Sequence, residues 1–75
     1  MDFRSYLFDT DFNMKYINNK LDIVNYISID TVINNRIVIK YKDGILDITG
    51  NDLKIIKLTH DEVLVSGNFK KIEFR

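Results

Sequence analysis

The side chain best suited to chemistry near neutral pH is His60, the only histidine in the chain, because imidazole titrates there without help. It stands in Thr59-His60-Asp61-Glu62, where Asp61 or Glu62 could orient it as a general base. The favoured reading is a solvated turn residue between two strands, since no nucleophile motif accompanies it. Among the acids, Asp43, Asp47, Asp52, Asp61 and Glu62 are spread over three turns and one strand. No window places acids at alternate positions closed by a glutamate at the twelfth, as an EF-hand loop requires. Two carboxylates could meet across a hairpin, as glycosidases need, but with eleven acids on a small surface such meetings arise by chance. The absence of cysteine excludes disulfides, zinc ribbons and thiol chemistry. A single histidine also excludes a histidine-based metal cluster. Gly44 and Gly50 are not followed by Gly-Lys-Ser or Gly-Lys-Thr, so no phosphate-binding loop is present. The expectation is no catalytic residue, no cofactor, no metal, and therefore not an enzyme.

Net charge excludes a further class. Eleven basic and eleven acidic residues cancel, and neither half of the chain is polarised, so there is no electrostatic footprint for a nucleic-acid backbone or an anionic membrane. Tyr41 between Lys40 and Lys42 locally resembles the aromatic-and-cation pattern of single-strand binders. It supports an alternative reading, a small β-barrel binding a ligand or nucleic acid. The favoured reading of these lysines is a solvated edge that discourages unwanted strand pairing. The longest apolar runs are short, such as Ile37-Val38-Ile39 and Val63-Leu64-Val65. A transmembrane helix needs about 20 apolar residues and a signal peptide about 7–15. The chain is accordingly expected to stay in the compartment where it was made.

The elements that must position these groups are strands. Twelve isoleucines and five valines stand beside no alanine and no proline. β-Branched side chains fit a pleated surface, whereas alanine is the best helix former. Apolar segments at Lys20–Ile29, Arg36–Lys42, Ile45–Thr49, Leu53–Leu58, Val63–Ser66 and Phe69–Phe74 are divided by clusters of Asn, Asp and Gly, the residues that tolerate tight turns. Asp43-Gly44 gives the best hairpin signal, a type I′ turn. The echo of Ile17-Asn18-Asn19-Lys20 in Ile33-Asn34-Asn35-Arg36 is read as two similar hairpins, because a solenoid needs at least three repeats at a constant period. Phe3, Tyr6 and Leu7 suggest one helical turn, and Phe12, Met14 and Tyr16 alternate as a strand does. The fold expected is all-β: a small antiparallel meander forming a compact sheet, sandwich or barrel. Residues 1–75 make one domain, with 1–15 its least specified part.

A domain this short buries only about 60% of its unfolded surface, and small domains usually add a staple. With disulfides and metal excluded, self-association is the staple left open. Strands apolar on both faces, at Ile37-Val38-Ile39, Ile45-Leu46 and Val63-Leu64-Val65, must be covered on both sides. The excess points to a sandwich closing on itself or to a second chain; a homodimer is expected to complete the fold, with Ile37, Ile39, Ile55 and Val65 as candidates for the shared apolar surface.

The second half of the chain resembles the YabP/YqfC family of sporulation proteins. The resemblance is carried by Gly44-Ile45-Leu46-Asp47-Ile48-Thr49-Gly50, Leu53-Lys54-Ile55, Leu58, Val63-Leu64-Val65-Ser66-Gly67 and Ile72-Glu73-Phe74. Phe69 stands where that family usually has isoleucine, and Asn25-Tyr26 to Asp30 is loosely similar to its preceding strand and turn. Residues 1–22 match nothing in the pattern. The resemblance implies a small β protein of endospore-forming Firmicutes, a non-enzymatic, self-associating assembly or scaffold factor in spore envelope formation. It further implies a protein partner in the envelope, no nucleic acid, and a cytoplasmic location on the mother-cell side, with a peripheral place at the forespore surface. No catalytic position carries over.

Overall fold

The computed structural model describes residues 11–75, and the expected helical turn at Phe3, Tyr6 and Leu7 lies outside them. The strands are β1 (Asn13–Ile17), β2 (Lys20–Val24), β3 (Ser28–Ile33), β4 (Arg36–Tyr41), β5 (Gly44–Leu58) and β6 (Glu62–Phe74). They form one open antiparallel sheet in the order β1-β2-β6-β5-β4-β3. The all-β expectation holds, and β3 to β6 is the expected meander. The β1–β2 hairpin, however, docks on β6, a non-local pairing that no turn signal announces.

Two expected turns are bends instead. Gly50-Asn51-Asp52 and Gly67-Asn68 do not separate strands but lie within β5 and β6, where the β5–β6 register shifts at Thr49/Gly50 and Asn51/Lys54. An irregularity of this kind kinks a strand without ending it. Gly67 adopts φ +141°, and a Cβ there would lie 2.7 Å from the Asp52 carbonyl oxygen and 2.9 Å from Leu53 Cδ2. At Gly50 a Cβ would lie 2.0 Å from the Asn68 carbonyl oxygen. The two bends thus touch each other, and only glycine fits at either. The long strands carry the sheet through them, so that β4, the first part of β5 and the last part of β6 make one layer with β3. The last part of β5, the first part of β6, β2 and β1 make the other.

The core lies between these layers. Leu21 and Ile23 of β2, Ile37 and Ile39 of β4, Leu46 and Ile48 of β5, and Val63 and Val65 of β6 are fully buried and form one cluster with Leu53. Burying each such side chain is worth about 1.5–3 kcal/mol relative to exposure. Pairing explains the alternation: Ile37 stands opposite Ile48 and Ile39 opposite Leu46, so all four point inward, while Val38 and Asp47 pair on the outer face. The apolar excess that suggested a completing partner is therefore largely absorbed by the chain's own second layer.

The hairpins also differ from expectation in their turns. The type I′ turn is at Asn18-Asn19, with φ 52° and 62°, not at Asp43-Gly44. Tyr41 pairs with Gly44, so Lys42 and Asp43 are the loop, and neither has positive φ. Asn34-Asn35, the sequence echo of Asn18-Asn19, also lacks positive φ. Its backbone is committed elsewhere: the Asn35 carbonyl accepts from Gly50 N (3.1 Å) and the Asn34 carbonyl from Leu53 N (2.8 Å). Asn34 Oδ1 also accepts from Asp52 N at 3.3 Å. This hairpin tip clamps the β5 bend. Asn25, at φ 65°, ends β2 and divides the Lys20–Ile29 segment into two strands.

Candidate functional site

His60 lies exposed in the β5–β6 turn, between elements that hold the turn without it. Thr59 Oγ1 donates to Asp61 Oδ1 (3.0 Å) and accepts from Glu62 N (3.0 Å), and Thr59 N donates to the Glu62 carbonyl (2.8 Å). Glu62 Oε1 accepts from Lys57 Nζ at 3.3 Å. Neither candidate acid orients the imidazole. Among the described residues no group of three or more His, Cys, Asp or Glu side chains could hold a metal ion.

A carboxylate pair joins β2 to β6 through Asp22, a residue the sequence does not single out. Asp22 stands opposite Leu64 and Glu62 opposite Val24, so the two acids are diagonal neighbours on one face. A hydrogen bond with Glu62 raises the Asp22 pKa above the ordinary carboxylate value, with burial and the Glu62 charge adding to it against the pull of Lys57 and Lys15. The same bond, followed by the one from Lys57, lowers Glu62. The two acids thus shift in opposite directions, Asp22 up and Glu62 down. Asp22 Oδ1 is buried without a hydrogen-bond partner. Asp22 lines an open cleft of ≈ 430 Å³ together with Asp11, Phe12, Asn13, Lys15 and Val24.

On the outer face of the other layer, Asp47 is buried beneath arginines. Arg36 Nε and Nη2 donate to its two oxygens at 3.1 and 2.8 Å, and Arg75 Nη2 lies 3.4 Å away. The hydrogen bond from Arg36 lowers the Asp47 pKa, against the opposing effect of burial. Arg75 also exchanges both backbone bonds with Ile45, at 2.7 and 2.8 Å. This group ties the last residue to β4 and β5 and is a structural lock.

Of the proposed shared surface, Ile37, Ile39 and Val65 are fully buried in the chain's own core, and Ile55, opposite Val65, is half-buried. Ile37, Ile39 and Val65 belong to the core of the single chain, and Ile55 packs against that core. Tyr41 does not present a free ring either: Phe12 stacks on it at 4.4 Å, and Phe74 meets it edge-on at 6.0 Å. Lys40 is exposed, and Lys42 reaches Asp11 at 3.7 Å. The large apolar side chains that do face solvent include Tyr16 and Ile17 of β1, Ile27, Val32 and Ile33 of β3 and its approach, and Ile56 and Leu58 of β5. They gather at strand edges and ends. The signal for them was available in the sequence, since strands ending in apolar side chains are visible at Tyr16-Ile17 and Val32-Ile33.

Among the described residues no helix is long and apolar enough to cross a membrane. A family model described as the YabP family matches residues 13–75, which takes in all six strands. No curated protein matches the chain.

Proposed function

The chain belongs to the YabP family, and from that premise we propose that it is a non-enzymatic sporulation protein, a self-associating assembly factor in spore envelope formation. The observation that carries the self-association is the set of exposed large apolar side chains at sheet edges in a chain whose core is already filled. Such residues are not needed for packing within the chain, and unpaired edges with apolar side chains are templates for another strand. The family supplies the sporulation context.

A fluorescent fusion expressed in a spore-forming bacterium tests this reading. Recruitment to the forespore surface during sporulation, with a defective envelope in the deletion strain, is the expected result. Uniform fluorescence throughout sporulation and an intact envelope without the gene would overturn it. The alternative small-barrel binder requires a free aromatic face, and the stacking of Phe12 on Tyr41 weighs against it.

A further inference from the structure

The bent sheet leaves four stretches with one side unpaired among the described residues: β1, β3, Lys54–Leu58 of β5 and Phe69–Phe74 of β6. Edge lysines, bulges and inward charges are the usual devices against edge-to-edge pairing. Lys15 occupies the middle of β1, Lys54 and Lys57 flank an irregularity at Ile56 on the β5 edge, and Lys70 and Lys71 adjoin on the β6 edge. The β3 edge differs. It carries no lysine or arginine, and its one register irregularity, at Asp30 between Ile29 and Thr31, blunts only its first half. The second half, Thr31-Val32-Ile33, is entirely β-branched, and Val32 and Ile33 are 49% and 54% exposed.

Building on the self-association proposed above, we infer that Thr31–Ile33 of β3 pairs antiparallel with the same segment of a second copy, about a two-fold axis through Val32. Backbone geometry favours it. Ile33 and Arg36 close the Asn34-Asn35 hairpin, and an antiparallel ladder alternates its bonding direction. The N–H and C=O of Val32 therefore point to the open side, where two copies can exchange both bonds.

Charge selects the occupant. A strand that pairs with its own copy is read backwards against itself, so a central lysine meets a lysine. On β1 that places Lys15 against Lys15, and on the β6 edge it brings the Lys70-Lys71 pairs together. On β3 it places Val32 against Val32 and Thr31 against Ile33, while Asp30 falls opposite Asn34 instead of another aspartate. The nearest cation, Arg36, is held by Asp47 and is not free to repel a partner. Three residues make a short interface at the small end of the known range, so the dimer is weak and concentration-dependent.

The test is sedimentation of the full chain from micromolar to millimolar concentration. The wild type is expected to move from 8.9 kDa toward twice that mass. Val32→Lys and Ile33→Lys should each raise the dissociation constant about tenfold or more, whereas Ile17→Lys, on the comparably exposed β1 edge, should not. The chain has no cysteine, so the near-isosteric Val32→Cys should crosslink to itself with a short bis-maleimide while Ile17→Cys does not. A dimer that ignores both β3 lysines, or that crosslinks through position 17, overturns the β3 assignment and leaves self-association standing. A wild type that stays monomeric to millimolar concentration overturns both.

Discussion

At the residue scale the two aspartates with altered proton affinity respond to pH in opposite directions. Asp22 has a folded pKa above its unfolded one. Its stabilisation is full below the unfolded value of about 4 and is lost as pH rises through the folded value. An asparagine in its place would keep a donor for Glu62 and never ionise. The variant Asp22→Asn should therefore melt higher than wild type at pH 7, with the gap narrowing toward pH 4; a gap independent of pH would mean that the Asp22 pKa is not raised in the fold. Asp47 has a folded pKa below its unfolded one, so its stabilisation is present above about 4 and is lost as pH falls through the folded value. Acid titration of the melting temperature should show a shallower decline in Asp47→Asn than in wild type, from a lower starting point. Parallel curves would mean that the bond to Arg36 contributes nothing. Neither pair was legible in the sequence. Asp22 and Glu62 are far apart along the chain, and nothing local announces that β2 lies beside β6.

At the element scale, strands were legible because alternation and β-branched composition are local properties, but turn chemistry was only half so. Asn-Asn occurs twice between an isoleucine and a basic residue and adopts two conformations, because the second copy spends its carbonyls on the β5 bend. This contrast is testable. Asn19→Gly should stabilise the chain by about 0.5 kcal/mol, since glycine meets no steric cost in the left-handed region. Asn35→Gly, with no positive φ to relieve, should be neutral or destabilising in the same urea titration. Equal gains at both positions would contradict the difference in turn type. The glycine clusters predict turns for an equally physical reason: glycine marks a tight turn and a kinked long strand alike. At Gly67 the kink demands it, because φ is +141° and the Asp52 carbonyl occupies the space of a Cβ. Gly67→Ala should cost about 2 kcal/mol or more, with Ser66→Ala as the control within about 0.5 kcal/mol. A Gly67→Ala protein with wild-type stability would show that the bend tolerates a side chain.

At the scale of the whole molecule the question is which apolar side chains serve the fold and which serve a partner. Sequence pattern alone merged the two sets, since Ile37, Ile39 and Val65 are as apolar as Val32 and Ile33. Burial separates them, because the bend in β5 and β6 supplies from within the chain the second layer that a partner was expected to provide. The first three are fully enclosed, and Val32 and Ile33 are about half exposed. A domain of this size has a total stability of roughly 0.05–0.15 kcal/mol per residue, about 4–11 kcal/mol. Truncating a buried isoleucine to alanine costs about 2–5 kcal/mol, so Ile37→Ala should remove a large part of that margin. The loss should be the same at low and high protein concentration, since it arises inside one chain. Val32→Ala, at a half-exposed edge, should change dilute stability by no more than about 1 kcal/mol and should weaken only the concentration-dependent part. Urea titrations at two protein concentrations separate these outcomes. If Ile37→Ala instead kept its midpoint in dilute solution while losing dimer mass, Ile37 would be an interface residue and the self-contained core would be wrong.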